Sequence, residues 1–314
     1  MNHKNITTSP LIQHLQAQFP GNYKLKKHGK SFYFAQLLLP RKHQKSIHAL
    51  YQVCRLIDDI GDNPNRSKTD ALNQLNVIQE IIHAYANNNQ IIIADNTSIS
   101  TQALFTLING VRSDLTHQQY PTMEALITYC YQVAGTVGLM MCDLMNVDNP
   151  HARMKAIDLG IAMQLTNIAR DVWTDANLGR VYLPKTVIGQ QSSESILKTM
   201  PGDQQLSYGI QQLLSKAEHF YYSGKSGISH VPKSFKIGIF TAACLYQSIG
   251  KIIEKNDYFS PDKRSYVPLW QKMRIATQCL LRLNSDLYKM NESRPSNSDL
   301  FRHLPCFTKL GIQT

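Results

Sequence analysis

Two short stretches hold residues able to bind metal and phosphate. The first, YQVCRLIDDIGD at 51–62, places Asp58 and Asp62 four residues apart, with Asp59 beside them. At about 3.6 residues per turn, Asp58 and Asp62 stack on one helix face. The second, QLTNIARDVWTD at 164–175, spaces Asn167, Asp171 and Asp175 four apart, with Gln164 one short turn earlier. A lone Asp pair at this spacing is ordinarily a solvated helix face. Here each set lies inside an apolar segment and presents oxygen donors one turn apart. If the two faces meet, Asp58, Asp59, Asp62, Asp171 and Asp175 share one cleft. Two unit charges about 4 Å apart repel by about 4 kcal/mol at an effective dielectric of about 20. Cations must offset that, and Mg²⁺ is a hard cation suited to a few carboxylates plus phosphate oxygens. The spacing therefore implies Mg²⁺ ions bridging two acidic helices to a diphosphate. Arg55, Arg170, Arg180, Lys185, Lys263 and Arg264 lie near the motifs, and guanidinium groups suit bidentate oxygen recognition.

The elements that carry these motifs read as helices. Apolar residues recur at three and four over 41–61, 69–86, 101–115, 122–146, 152–176, 204–224, 234–255 and 268–290. Turn signals separate them: Asp62-Asn63-Pro64, Tyr120-Pro121, Asn149-Pro150, Met200-Pro201-Gly202, Val231-Pro232 and Ser260-Pro261-Asp262. No period-two alternation reaches strand length, and no linker or fixed repeat divides the chain. The expected architecture is a single all-α domain over 1–314, with 1–27 and 292–314 peripheral. The apolar stretch 125–145 contains Gln132, Thr136 and Asp143, so it reads as a buried core helix rather than a membrane span.

Composition narrows the class. The 314 residues are 43% hydrophobic and 18% charged, with 16 Gly and 13 Pro, which excludes collagen-like and disordered chains. The 33 Lys and Arg exceed the 22 Asp and Glu by 11, a surplus that attracts anions. No nucleic-acid motif or Lys/Arg run accompanies it. The six cysteines (Cys54, Cys130, Cys142, Cys244, Cys279, Cys306) are scattered without a C-x-x-C, as reduced buried thiols are. The start of the chain, MNHKNITTSP, lacks the apolar core of a secretory signal.

The motifs and their flanks resemble the squalene/phytoene synthase family of head-to-head trans-prenyltransferases. HGKSFYFAQLLLP (28–40), ALYQVCRLIDDIGD (49–62), YCYQVAGTVGLMM (129–141), QLTNIARDVWTDANLGRVYLP (164–184), FTAACLYQSIGKII (240–253) and the Lys263-Arg264-Ser265 loop with Leu269-Trp270 carry the likeness. It leans toward bacterial phytoene synthases. Gly29 and Gln36 depart from the pattern. The resemblance implies an isoprenoid-synthase fold with a central apolar cavity and two substrate sites. It implies two or three Mg²⁺ ions, with Mn²⁺ an admissible substitute, held by Asp58, Asp62, Asn167, Asp171 and Asp175. Asp59, Arg55, Gln164, Arg170 and Arg180 would assist metal or diphosphate binding. Tyr51, Phe32, Tyr129 and Tyr246 match cavity-lining aromatics, and Ser31, Lys263 and Arg264 match further substrate contacts.

The reaction implied is ionisation of one prenyl diphosphate and capture of its allylic cation by the second, giving a cyclopropylcarbinyl diphosphate. A second ionisation, rearrangement and proton loss give a 1,1′-linked polyene. Such cations require a dry pocket, and aromatic faces stabilise them. Gly135 and Gly138, in an apolar helix where Gly costs about 1 kcal/mol against Ala, are expected to leave room for a prenyl chain. No G-x-G-x-x-G is present, so no nicotinamide is expected, and phytoene from geranylgeranyl diphosphate is the first-choice product. Dehydrosqualene, squalene or presqualene diphosphate from farnesyl diphosphate is the alternative. A class I terpene cyclase, a head-to-tail elongase, and a non-catalytic membrane-associated assembly factor on the same fold are the rivals. The expected setting is cytoplasmic, as a monomer or weak dimer, in peripheral contact with an anionic inner membrane.

Overall fold

A computed structural model describes residues 9–20, 34–94, 97–259 and 264–284. The helices are α1 (Pro10–Gln18), α2 (Gln44–Gly61), α3 (Lys68–Tyr85), α4 (Thr101–Leu115), α5 (Met123–Cys130), α6 (Thr136–Met145), α7 (Pro150–Asn177), α8 (Lys185–Ile188), α9 (Ser193–Leu197), α10 (Gln204–Ser226), α11 (Lys233–Lys255) and α12 (Leu269–Asn284). The all-α expectation holds, and most boundaries fall at the turn signals. The reason is local chemistry. Ser67, Ser100, Thr122, Asn149 and Asp203 each accept a backbone N–H from the first turn of the helix that follows. These bonds satisfy donors that a helix start leaves unpaired. Pro150 then occupies the first turn of α7, where its missing N–H costs nothing.

Several features differ from the expected pattern. α8 and α9 were not expected, and α1, within the stretch 1–27 expected to be peripheral, buries Leu11, Ile12 and Leu15 in the core. Residues 122–146 form one continuous rod, but Tyr131–Gly135 winds as a π-helix between α5 and α6. A short antiparallel hairpin, β1 (Gln90–Ala94) and β2 (Thr97–Ser100), was not foreseen. Its first strand reads Gln-Ile-Ile-Ile-Ala, so hydrophobicity does not alternate although exposure does: Ile91 and Ile93 are buried and Ile92 is exposed. The hairpin packs on α6 and α2. Asp143 of α6 accepts the Ser100 backbone N–H at 2.9 Å and pairs with Arg153 at 2.7 Å. The apolar rod 123–145 has the length and hydropathy of a membrane span, yet Leu126, Ile127, Cys130, Leu139 and Met140 are in the core.

α7 is the central element. It packs along α10 and is crossed by the π segment, α6 and α11. The crossing is close because glycines remove side chains there. A Cβ on Gly138 would sit 2.4 Å from the Ala156 carbonyl oxygen, and one on Gly160 would sit 2.3 Å from that of Ala134. A Cβ on Gly135 would press on Tyr131 and Ile157 at 3.0 and 3.1 Å. This corrects the expectation for Gly135 and Gly138: they make room for α7, not for a prenyl chain. Gly138→Leu should therefore lower the thermal unfolding midpoint by about 2–10 °C, the cost of overpacking against backbone. The folded protein should keep its product length; a shortened product at wild-type stability would restore the chain-gauge reading.

Candidate active site

α2 ends at Asp62, which caps it, so its last two turns present Asp58 and Asp62 together. α7 runs far enough past the glycine crossing to present Gln164, Asn167, Asp171 and Asp175 along one side. Both sets line one cavity of about 930 Å³, near the upper end of the ~300–1,000 Å³ common for small-molecule sites. Arg55, Tyr129, Arg170, Arg180, Tyr246 and Arg264 line it too. Apolar surface comes from Val111, Val133, Ile168, Ile249 and Val267. Of the other sequence candidates, Ser31, Phe32 and Lys263 lie outside the described residues. Tyr51 is near Asp58 and Tyr246 in electrostatic terms but is not a lining residue.

Asp59 does not join the cleft, which corrects the set of five carboxylates. It sits about 100° around the helix from Asp58 and pairs with Arg55 on its own helix. The fifth cavity carboxylate is Asp114, from α4, which sequence reasoning missed. Its signal was available: Asp114 stands three and seven residues after the buried Val111 and Leu107, a charge on the apolar arc of its helix. Asp114 accepts hydrogen bonds from the Tyr129 and Tyr182 hydroxyls, each at 2.8 Å. The two rings stack with centroids 5.2 Å apart, and Tyr120 lies 5.4 Å from Tyr129. Tyr182, Lys272, Tyr266 and Leu269 are further lining residues not anticipated.

The segment after α7 is pinned from outside. Gln119 donates to the Leu183 and Gly189 carbonyls at 2.8 and 2.9 Å, and the Lys185 amide donates to the Tyr120 carbonyl at 2.8 Å. His117 Nε2 lies within 3.1 Å of both the amide and the carbonyl of Val181. These bonds aim Arg180 back across the cavity. It donates to Asp62 Oδ1 at 2.6 Å and to the Gly61 carbonyl at 2.8 Å, tying the two acidic helices together. Arg264 holds Asp171 through two bonds of 2.8 and 3.0 Å, and Arg170 holds the same carboxylate from the other side.

These pairings split the carboxylates. Asp171 is buried, which alone would raise its pKa, but Arg170 and Arg264 hold it below the usual range. Burial and the charge of Asp62 push Asp58 up to about 7, against the pull of Arg55. Burial raises Asp114 to about 6, against Arg180 and the two tyrosine hydrogen bonds. Asp175 is driven well above the ordinary value by burial and by Asp171, with Asp62 and Asp114 adding to it across the cavity. Negative charge is thus crowded beyond what the arginines neutralise. Among the described residues, no three His, Cys, Asp or Glu side chains form a preformed metal cage. The donor set is all oxygen and is spread over facing helices. It fits a hard divalent cation that also takes phosphate oxygens, better than a closed all-protein site.

All-α packing around a cavity lined by two acidic helices and by aromatic side chains is the isoprenoid-synthase fold. Residues 25–271 match the squalene/phytoene synthase family model, and the chain belongs to that family of prenyltransferases. It is 31% identical over 277 residues to a 15-cis-phytoene synthase from Synechococcus elongatus, covering 82% of this chain and 90% of that one. It is 33% identical over 278 residues to a phytoene synthase from Arthrospira platensis, with the same coverage. A crystal structure of a dehydrosqualene synthase in complex with a ligand superposes with a TM-score of 0.68 at 28% identity, covering 87% of this chain and 99% of that one.

Two outcomes test the site. Asp58 has a folded pKa raised above its ordinary 3.8, so its protonated form favours folding below that value. The contribution is lost as pH rises through about 7. Asp58→Asn should therefore melt higher than wild type at about pH 8 without divalent cations, with the gap narrowing as pH falls and closing only near about pH 4. Melts showing no such pH-dependent gap would refute the assignment. Asp114→Asn, which puts an N–H donor where one of the two hydroxyls needs an acceptor, should cut turnover roughly tenfold; wild-type steady-state kinetics would show that the tyrosine anchor is dispensable.

Proposed function

We propose that the protein condenses two geranylgeranyl diphosphates head to head, through a cyclopropylcarbinyl diphosphate, to phytoene. One observation carries this reading. Acidic faces from α2 and α7 open into a single cavity that aromatic and aliphatic side chains also line, in a chain similar over most of its length to proteins named phytoene synthase. Asp58, Asp62, Asn167, Asp171 and Asp175 would hold the divalent cations, most simply Mg²⁺. Bound there, Mg²⁺ supplies Lewis-acid stabilisation of the departing diphosphate.

The chain's own residues do the rest. Arg170, Arg180, Arg264 and Lys272 line the cavity and would offer diphosphate oxygens charged donors. Binding diphosphate there competes with the carboxylates those arginines hold, so substrate entry and cation entry favour each other. Tyr129, Tyr182 and Tyr246 border the cavity, and burial raises all three hydroxyl pKa values, so they stay neutral. Neutral rings present π faces to an allylic cation without supplying a nucleophilic phenolate. Val111, Val133 and Ile249 exclude water from the same space. The setting we infer is cytoplasmic, in peripheral contact with an anionic inner membrane.

A second reading, dehydrosqualene formation from farnesyl diphosphate, is favoured by the likeness to the dehydrosqualene synthase structure. The deciding experiment gives purified protein either substrate with Mg²⁺ and no nicotinamide, and reads the extracted lipid by mass. A C40 hydrocarbon supports phytoene synthesis and a C30 one the second reading. A cyclic C15 or C20 product, or no turnover, overturns both. Chelation with EDTA should abolish turnover, and Asp175→Asn should lower kcat/KM by about 100-fold or more.

A further inference from the structure

α12 has two apolar faces, and among the described residues only one is packed. Lys272, Ile275 and Cys279 turn inward and are buried. On the opposite side, Leu269 is 68% exposed, Trp270 66%, Met273 56%, Leu280 50% and Leu281 65%. At about 100° per residue these five fall within an arc of about 120°. The stripe begins at the cavity rim: Leu269 and the neighbouring Tyr266, itself 73% exposed, line the mouth. Two basic residues of α12, Arg274 and Arg282, are exposed, and the helix has no acidic residue.

We propose that this face of α12 is where the protein lies on an anionic bilayer, with the cavity mouth against the lipid. The inference rests on the prenyltransferase reading of the cavity and specifies the surface that serves it. The residue types match the place. Trp and Tyr favour the bilayer interface, long aliphatic side chains enter the acyl boundary, and basic residues meet anionic headgroups. A bilayer is also the occupant that the cavity requires. A water-insoluble hydrocarbon leaves this mouth, and a rim of exposed apolar residues in contact with lipid gives it a continuous apolar exit. Patches of this kind are costly on a surface that faces only water.

The full-length protein is tested by co-sedimentation with vesicles of phosphatidylcholine alone or with phosphatidylglycerol. Binding is expected to the anionic vesicles and to weaken as salt rises. The chain has two tryptophans, so Trp173→Phe leaves Trp270 as the only emitter. Its emission should shift to the blue on binding and be quenched by phospholipids brominated on the acyl chain. Met273→Glu with Leu281→Glu, or the milder Met273→Gln with Leu281→Gln, should weaken vesicle binding at least about tenfold. Condensation in detergent micelles and the thermal midpoint should stay at wild-type values. Unquenched Trp270, or vesicle binding unaltered by these changes, would overturn the proposal. So would a wild-type dimer that the same substitutions turn monomeric while vesicle binding persists, or a Trp270 already shielded from iodide in buffer by residues 285–314. Micellar condensation is scored separately. An enzyme that condenses but ignores vesicles sinks this inference alone, and one that binds vesicles but does not condense sinks the catalytic reading.

Discussion

Negative charge from two helices confined to one partly dry cavity governs this molecule. Asp58 and Asp62 come from α2, Asp171 and Asp175 from α7, and Asp114 joins from α4. Ionising Asp58, Asp114 and Asp175 costs more here than in water, because burial and like-charged neighbours act in the same direction. Arg180 on Asp62 and Arg264 on Asp171 relieve part of the repulsion. Asp58 and Asp175 remain raised, and that residual charge is what makes the site receptive to hard cations and to the phosphate oxygens that accompany them.

The packing serves that confrontation. α7 must lie near the centre and keep its acidic side free while its other sides are covered. It does so by letting the π segment and α6 approach at glycines, where backbone meets backbone at Gly138 and Gly160. The segment after α7 is held by Gln119 and His117 from the loop between α4 and α5. Arg180 is thereby placed by hydrogen bonds far from the residues it serves. The same loop region brings Tyr120 beside the Tyr129–Tyr182 stack, so the polar clamp and the aromatic wall share one support.

The cavity therefore has two chemical zones. One is carboxylate and guanidinium, and the other is rings and aliphatic side chains suited to keep a cation from water. Asp114 joins the two, fixing the hydroxyls of Tyr129 and Tyr182. At the rim, α12 continues the apolar character outward, which suits a catalyst whose product belongs in lipid.

Most of this was legible along the chain where the signal is local. Helical periodicity, the capping residues and the prolines mark the helices within a few residues. The four-residue spacing of Asp58/Asp62 and of Asn167/Asp171/Asp175 already pairs them, because side chains four apart share a helix face whatever surrounds the helix. The hairpin was hidden because an Ile-Ile-Ile run has no alternation to read, and its exposure pattern exists only once α2 and α6 cover one side. Asp59 and Asp58 are adjacent letters of equal chemistry; the orientation of α2 sends one into the cavity and the other to Arg55. Gly135 and Gly138 could have faced substrate or a helix, and the positions of Ile157 and Ala156 on α7 select the helix. Asp114 belonged to no motif, since its partners Tyr129 and Tyr182 are 15 and 68 residues away. Spacing within a helix is set by covalent geometry and can be read from sequence; which face meets which is set by long-range packing, and it appears only when the chain is folded.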